Sequence, residues 1–183
     1  MTNYGKLAND FLRGEVSPYV RPVKGSRNDA AGVAFELAIK KYLGLTEEIS
    51  PQGKIDIEYG IFVGEVKQGA AILCKVDSEG VPFEDSPLLR SDYVIYSFGY
   101  DGTEESLLNS RVIPVDNFLS DLVKSGMIRY KKSSAMLKKP KEKQYYDCLT
   151  IKDLNRCKAG KRRLAQEFKK YPTFYYCFIT EEI

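Results

Sequence analysis

Residues Lys54–Gln68 read KIDIEYGIFVGEVKQ, and the way this stretch folds decides how the rest of the chain is read. Apolar side chains alternate with polar or small ones on both sides of a glycine, as in two short strands joined by a tight turn. The expected strands are Lys54–Glu58 and Ile61–Lys67, with Tyr59 and Gly60 as the loop. A two-residue loop there sets Asp56 opposite Val63. Residues opposite each other in an antiparallel pair share a face, and so do residues two apart on a strand. Asp56, Val63, Glu65 and Lys67 therefore project together, while Ile55, Ile57, Phe62 and Val66 project from the other face.

Two carboxylates and an ammonium on one strand pair suit a site for a divalent cation. Mg2+ takes oxygen ligands, commonly one or two carboxylates completed by water and substrate phosphate. A neighbouring lysine can hold the attacking water or offset charge building on the phosphate, which gives metal-assisted phosphodiester hydrolysis. The plainer alternative is a solvated ion-pair face on an ordinary hairpin. E-x-K alone is a weak signal: Glu167-Phe168-Lys169 repeats the spacing in a basic helical stretch with no acidic strand before it.

An acidic residue on one strand followed by E-x-K on the next resembles the PD-(D/E)XK nuclease superfamily, the restriction-endonuclease-like fold. The resemblance covers roughly Asn28 to Ser97, and Gly53-Lys54-Ile55-Asp56 departs from it by lacking the nominal Pro before the Asp. It implies an α/β fold, a mixed sheet flanked by helices, with Tyr93–Phe98 as a central strand beside the hairpin. It also implies Asp56 and Glu65 as ligands of Mg2+ (or Mn2+), Lys67 orienting or activating water, and Glu36 as a supporting ligand. Glu36 lies in a helical stretch before the hairpin, where relatives often carry an acidic residue; Gln68 beside the lysine also occurs in relatives. The implied activity is a deoxyribonuclease of restriction, repair or resolvase type, and relatives often form homodimers. The rival from another class is a catalytically silent module that holds nucleic acid or a protein partner on the same fold.

Composition bounds these readings. A chain of 183 residues is expected to form one domain with a real core. With 43% hydrophobic and 29% charged residues it reads as a soluble globular protein rather than a disordered one. No apolar run approaches the ~20 residues of a membrane span. The start, MTNYGKLANDFLRGEV, lacks the basic and apolar regions of a secretory signal. Four cysteines without close pairing suit a reducing cytoplasm and predict buried thiols rather than a cluster. The absence of histidine excludes histidine-dependent nucleases, Ser-His-Asp hydrolases and Cys-His proteases as usually built, and a Cys/His zinc site.

Outside the hairpin the pattern predicts a short helix within Met1–Val16, a loop over Ser17–Ser26, and a helix capped by Ser26 or Asn28 and ended by Gly44. Ala70–Val76 fits strand or helix. Tyr93–Phe98 and Arg111–Val115 read as strands, and Asp116 as the cap of a helix through Lys124 with Phe118, Leu119, Leu122 and Val123 inside. Tyr171–Ile179 reads as a final strand.

The charge divides the chain into an acidic part, residues 1–128, and a basic part, residues 129–183. Arg129–Lys170 holds fifteen Lys or Arg against four Asp or Glu, so a chain of net charge +3 carries about −8 elsewhere. Thr150 is the expected cap of a helix with Ile151, Leu154, Leu164 and Phe168 inward and Lys158, Lys161, Arg162 and Arg163 outward. Lys131–Lys143 reads as a basic loop around Pro140. Such a patch points to a polyanion, and DNA fits better than an anionic membrane because no strong apolar face accompanies it. Lacking interleaved aromatics, the helix favours duplex.

Overall fold

The computed structural model describes residues 27–50, 54–77, 79–136 and 143–179. The helix expected within Met1–Val16 and the loop over Ser17–Ser26 lie outside them.

Helix α1 spans Arg27–Tyr42. Asn28 is inside the helix and not its cap. The C-terminal end follows expectation: Gly44 adopts φ 71°, and Leu45 N–H returns to Lys40 O at 2.8 Å. Residues 34–40 of this helix are all buried, Glu36 and Lys40 among them, so it is covered on most of its circumference.

A mixed sheet follows, built from β1 (Ile57–Tyr59), β2 (Phe62–Gln68), β4 (Tyr93–Ser97) and β5 (Arg111–Pro114), side by side in that order. β1 is antiparallel to β2, β2 is parallel to β4, and β4 is antiparallel to β5. Between β2 and β4 the chain forms β3 (Ile72–Lys75) and a single turn of helix, α2 (Pro87–Arg90). Tyr93–Ser97 is a central strand, as the resemblance implied. Its residues point alternately into two cores, Val94 and Tyr96 to one side and Ile95 to the other, which is why the run is apolar throughout.

One core holds Phe35, Ala38 and Ile39 of α1 against Ile57, Val66, Ile95 and Val112. It is closed by α3 (Glu104–Leu108) through Leu107 and by α6 (Phe174–Phe178) through Phe174. The other core lies under α4 (Val115–Lys124) and α5 (Lys158–Phe168), where the Phe118 and Phe168 rings stack 5.7 Å apart beside Tyr96. A second, antiparallel sheet of β3, β7 (Lys143–Ile151) and β6 (Ile128–Met136), with β7 in the middle, joins this side. No described helix is long and apolar enough to cross a membrane.

Several expectations are corrected here. Tyr171–Ile179 holds helix α6 rather than a strand, because Thr173 accepts from Tyr176 N–H and starts a turn. Thr150 is buried in β7, where the ladder with β6 takes it; α5 begins only at Lys158, so Ile151 and Leu154 reach the core from outside the helix. Asp116 lies in the first turn of α4, whose cap is Pro114, and Val123 is exposed. Much of the supposed basic loop, Lys131–Met136 and Lys143, is strand; residues 137–142 lie outside the described residues. Ala70–Val76 resolves as strand β3.

Gly160, in the first turn of α5, is a buried contact point. A Cβ there would meet Met127 Sδ and lie 3.3 Å from Ser125 O. Gly160→Ala is expected to destabilise the protein by about 1–2 kcal/mol, because overpacking outweighs the gain in helix propensity. Urea midpoints measure it, and the penalty should shrink in a Met127→Ala background.

Candidate active site

The hairpin turn is Gly60-Ile61, one residue later than expected. Gly60 takes φ 59°, and the first loop position is where a two-residue hairpin most needs a residue free to do so. Ile61 is left 100% exposed at the tip. Tyr59 therefore pairs with Phe62, Glu58 with Val63 and Ile57 with Gly64. Asp56 is not opposite Val63. The displacement along β2 is two residues, so the side-chain period of two leaves the paired residues of β2 on their expected faces. Ile57 and Val66 pack toward α1, while Glu65 and Lys67 project with Val94 and Tyr96 on the other side.

Asp56 sits at a bend just before β1. Its Oδ2 accepts a hydrogen bond from Val66 N–H at 2.8 Å, so the side chain takes up a backbone donor of β2 that β1 is too short to reach. Lys67 Nζ donates to Glu65 Oε2 at 2.6 Å and lies 3.9 Å from Asp56 Oδ2. Glu65 is only 4% exposed, and its Oε1 is buried without a hydrogen-bond partner. The structure thus brings Asp56, Glu65 and Lys67 together. They line a cleft of about 580 Å³ whose other walls include Ser50, Lys54, Cys74, Lys75 and residues 83, 85–88.

Glu36 is placed differently. It does not line that cleft, and its Oε1 accepts from Lys40 Nζ at 2.7 Å and from Ser50 N–H at 3.0 Å. Lys40 is 6% exposed and spends its other two donors on Glu48 O and Ser50 Oγ, each at 2.7 Å. Ser50 Oγ in turn donates to Asp56 O at 3.2 Å. Lys40 and Ser50 escaped the sequence reading. The available signal was the i,i+4 spacing of Glu36 and Lys40 on a helix with little exposed face.

Two buried carboxylates, Glu36 and Glu65, and the half-buried Asp56 share two ammoniums here, and the protonation equilibria reflect it. Burial pushes the Asp56 carboxyl up to about 6; Lys67 pulls it down and Glu65 pushes it further up. Burial also raises Glu36, helped by the charge of Asp56 and opposed by Lys40. Burial disfavours the Lys67 ammonium, but Glu65 and Asp56 outweigh that and hold it above the ordinary lysine value. Among the described residues no group of three or more His, Cys, Asp or Glu is arranged to hold a metal. The two carboxylates that line the cleft together are Asp56 and Glu65: one Glu65 oxygen is buried without a partner, and burial raises the Asp56 carboxyl beside it.

Of the basic set, Lys158, Arg162 and Arg163 are exposed on α5 and Lys161 is half-buried; Leu164 and Phe168 form its inner stripe. Arg163 also reaches Ser125 O at 3.5 Å. No protein-family model, curated protein or solved structure matches this chain.

Two outcomes follow from this geometry. Glu36→Gln leaves a buried lysine without its anion and should cost about 3 kcal/mol, read from urea midpoints. The double change Glu36→Leu with Lys40→Met should recover most of that loss, because both charges leave together. Asp56→Asn should stabilise the metal-free protein at pH 7. The folded carboxyl titrates at about 6 against an unfolded value near 3.8, so the folded state holds the proton longer as pH rises. The stability this group contributes is complete below the unfolded value and is lost as pH rises through 6. The advantage of Asn should therefore be small at pH 4 and level off above pH 6, which melting temperatures across pH would show.

Proposed function

We propose that this chain is a divalent-metal-dependent DNA endonuclease on a restriction-endonuclease-like fold. The observation that carries the reading is Glu65 Oε1, a buried carboxylate oxygen without a partner, in the same cleft as Asp56 and beside Lys67. Leaving such an atom unpaired is costly, and a cation taken up at the site removes the cost. Asp56 and Glu65 would hold Mg2+ or Mn2+, which would supply Lewis acidity and charge neutralisation at a phosphodiester. Lys67, kept protonated by its two carboxylates, orients the water nucleophile or offsets charge on the phosphate. Helix α1, the β1–β2 hairpin and the central strand β4 beside it succeed one another as the resemblance implies, which supports the same reading. The basic residues on α5 supply attraction for the DNA backbone.

One observation favours the silent module instead: Lys40 and Ser50 N–H engage Glu36, so a third carboxylate is not offered to a metal. Nicking of supercoiled plasmid, with Mg2+ or with EDTA, separates the two. Cleavage with Mg2+ alone is expected, and Glu65→Gln or Lys67→Ala should reduce it by about a hundredfold or more. Full activity in Glu65→Gln would leave the binding module as the better account.

The basic helix is tested separately. Each phosphate neutralised on duplex DNA contributes about −0.9 to the slope of log K against log salt. Replacing Lys158, Lys161, Arg162 and Arg163 by Gln should flatten that slope by roughly two to four units. Binding isotherms without metal measure it, and an unchanged slope would remove α5 from the interface.

A further inference from the structure

The cleft has a second wall that the chemistry above does not use. Phe83 lies on it 48% exposed, an unusual position for a phenylalanine beside a polar site, and Ile72 is exposed next to the same space. Three residues on, Ser86 is only 8% exposed, yet its hydroxyl has no hydrogen-bond partner. Ser86 occupies the N-cap position of α2, where a serine oxygen normally accepts from the helix backbone; here it makes no such bond. Its backbone is held instead, with Ser86 N–H donating to Phe83 O at 3.0 Å, so the two residues form one tight turn. A buried hydroxyl that serves neither its own helix nor a neighbour, on a residue that lines the cleft, meets a molecule entering there through a change of rotamer.

The same space is bordered by Lys54 and Lys75, which favour an anion, and by Asp85, which opposes one. An exposed ring, an unused hydroxyl donor and two lysines beside a phosphodiester site match the parts of a nucleotide. The ring can stack on a base only if that base is out of the duplex stack, since a paired base has both faces covered.

We propose that Phe83 and Ser86 form a subsite for one unpaired nucleotide of a DNA strand. Phe83 stacks on the base, and the Ser86 hydroxyl donates to an oxygen of the adjoining phosphate. This rests on the phosphodiesterase reading of the same cleft and narrows its substrate to DNA with a single-stranded or distorted segment at the cut. The basic helix still takes the flanking duplex; the cleft takes the strand that has left it.

The test is binding of a fluorescent 30-nucleotide single strand, and of its duplex, to the full chain in EDTA. Base stacking on an aromatic ring is worth about five- to 150-fold in affinity. Phe83→Ala should weaken single-strand binding about tenfold or more while changing duplex binding less than about twofold, and Phe83→Trp should keep it. Ser86→Ala should weaken single-strand binding by about three- to tenfold. Its melting temperature should stay level or rise, because a buried unpaired hydroxyl has been removed; a structural role would lower it. Single-strand affinities equal to wild type in both alanine variants overturn the subsite. So does equal weakening on single strand and duplex. Plasmid nicking with Mg2+ is scored in parallel. Nicking with unaltered single-strand binding in the variants sinks the subsite and leaves the nuclease reading standing. Weakened single-strand binding without nicking in wild type does the reverse.

Discussion

The hydrogen bond from Val66 N–H to the Asp56 carboxylate joins the fold to the site. β2 is an inner strand with neighbours on both edges, so each of its backbone donors needs a partner. β4 supplies them along one edge. Along the other, β1 is only three residues long, and the donor of Val66 falls beyond its end. A carboxylate fills the gap. The short strand therefore places an anion at the edge of the sheet, one residue from Glu65 and within 3.9 Å of the Lys67 ammonium.

That arrangement is electrostatically strained, and α1 helps to hold it. The Glu36–Lys40 pair fixes the connection after the helix through Glu48 O and both polar groups of Ser50, and Ser50 reaches Asp56 O. A helix residue thus sets the position of a cleft residue twenty positions later without touching the cleft. The trade is between stability and readiness. Neutralising Asp56 relieves repulsion, whereas neutralising Glu36 or Glu65 strands the lysine that each one holds. Such conflicts between local stability and arrangement are expected at functional sites more than elsewhere in a core.

What the sequence revealed and concealed has the same physical basis. The shared face of Asp56, Glu65 and Lys67 was legible although the turn was misplaced by one residue, because moving a two-residue loop by one shifts the pairing by two and preserves the alternation. β4 was legible because a strand buried on both faces is apolar throughout. The second sheet was not. In β6, IRYKKSSAM offers few apolar residues, and Lys-Lys and Ser-Ser pairs break the alternation that marks a strand. Tyr171–Ile179 misled for the opposite reason: its aromatics favour strand locally, but Thr173 starts a helical turn and Phe174 packs inward among Tyr42 and Phe178. The Lys40 clamp was hidden because its partners Glu48 O and Ser50 become neighbours only once the helix ends at Gly44 and the chain turns back.

Unpaired atoms weigh differently from unpaired residues. Buried polar groups in folded proteins are nearly all hydrogen-bonded, so each exception needs a cause. Among the described residues, three buried side-chain oxygens lack a partner: Glu65 Oε1, Gln68 Oε1 and Ser86 Oγ. Gln68 follows Lys67 on the α1 face of β2 and does not line the cleft. The other two belong to residues distant in sequence, one on a central strand and one in a turn before a short helix, and both residues line one cavity. Each keeps a buried oxygen whose desolvation no hydrogen bond offsets, so the cleft wall is where the described part of the fold is least satisfied.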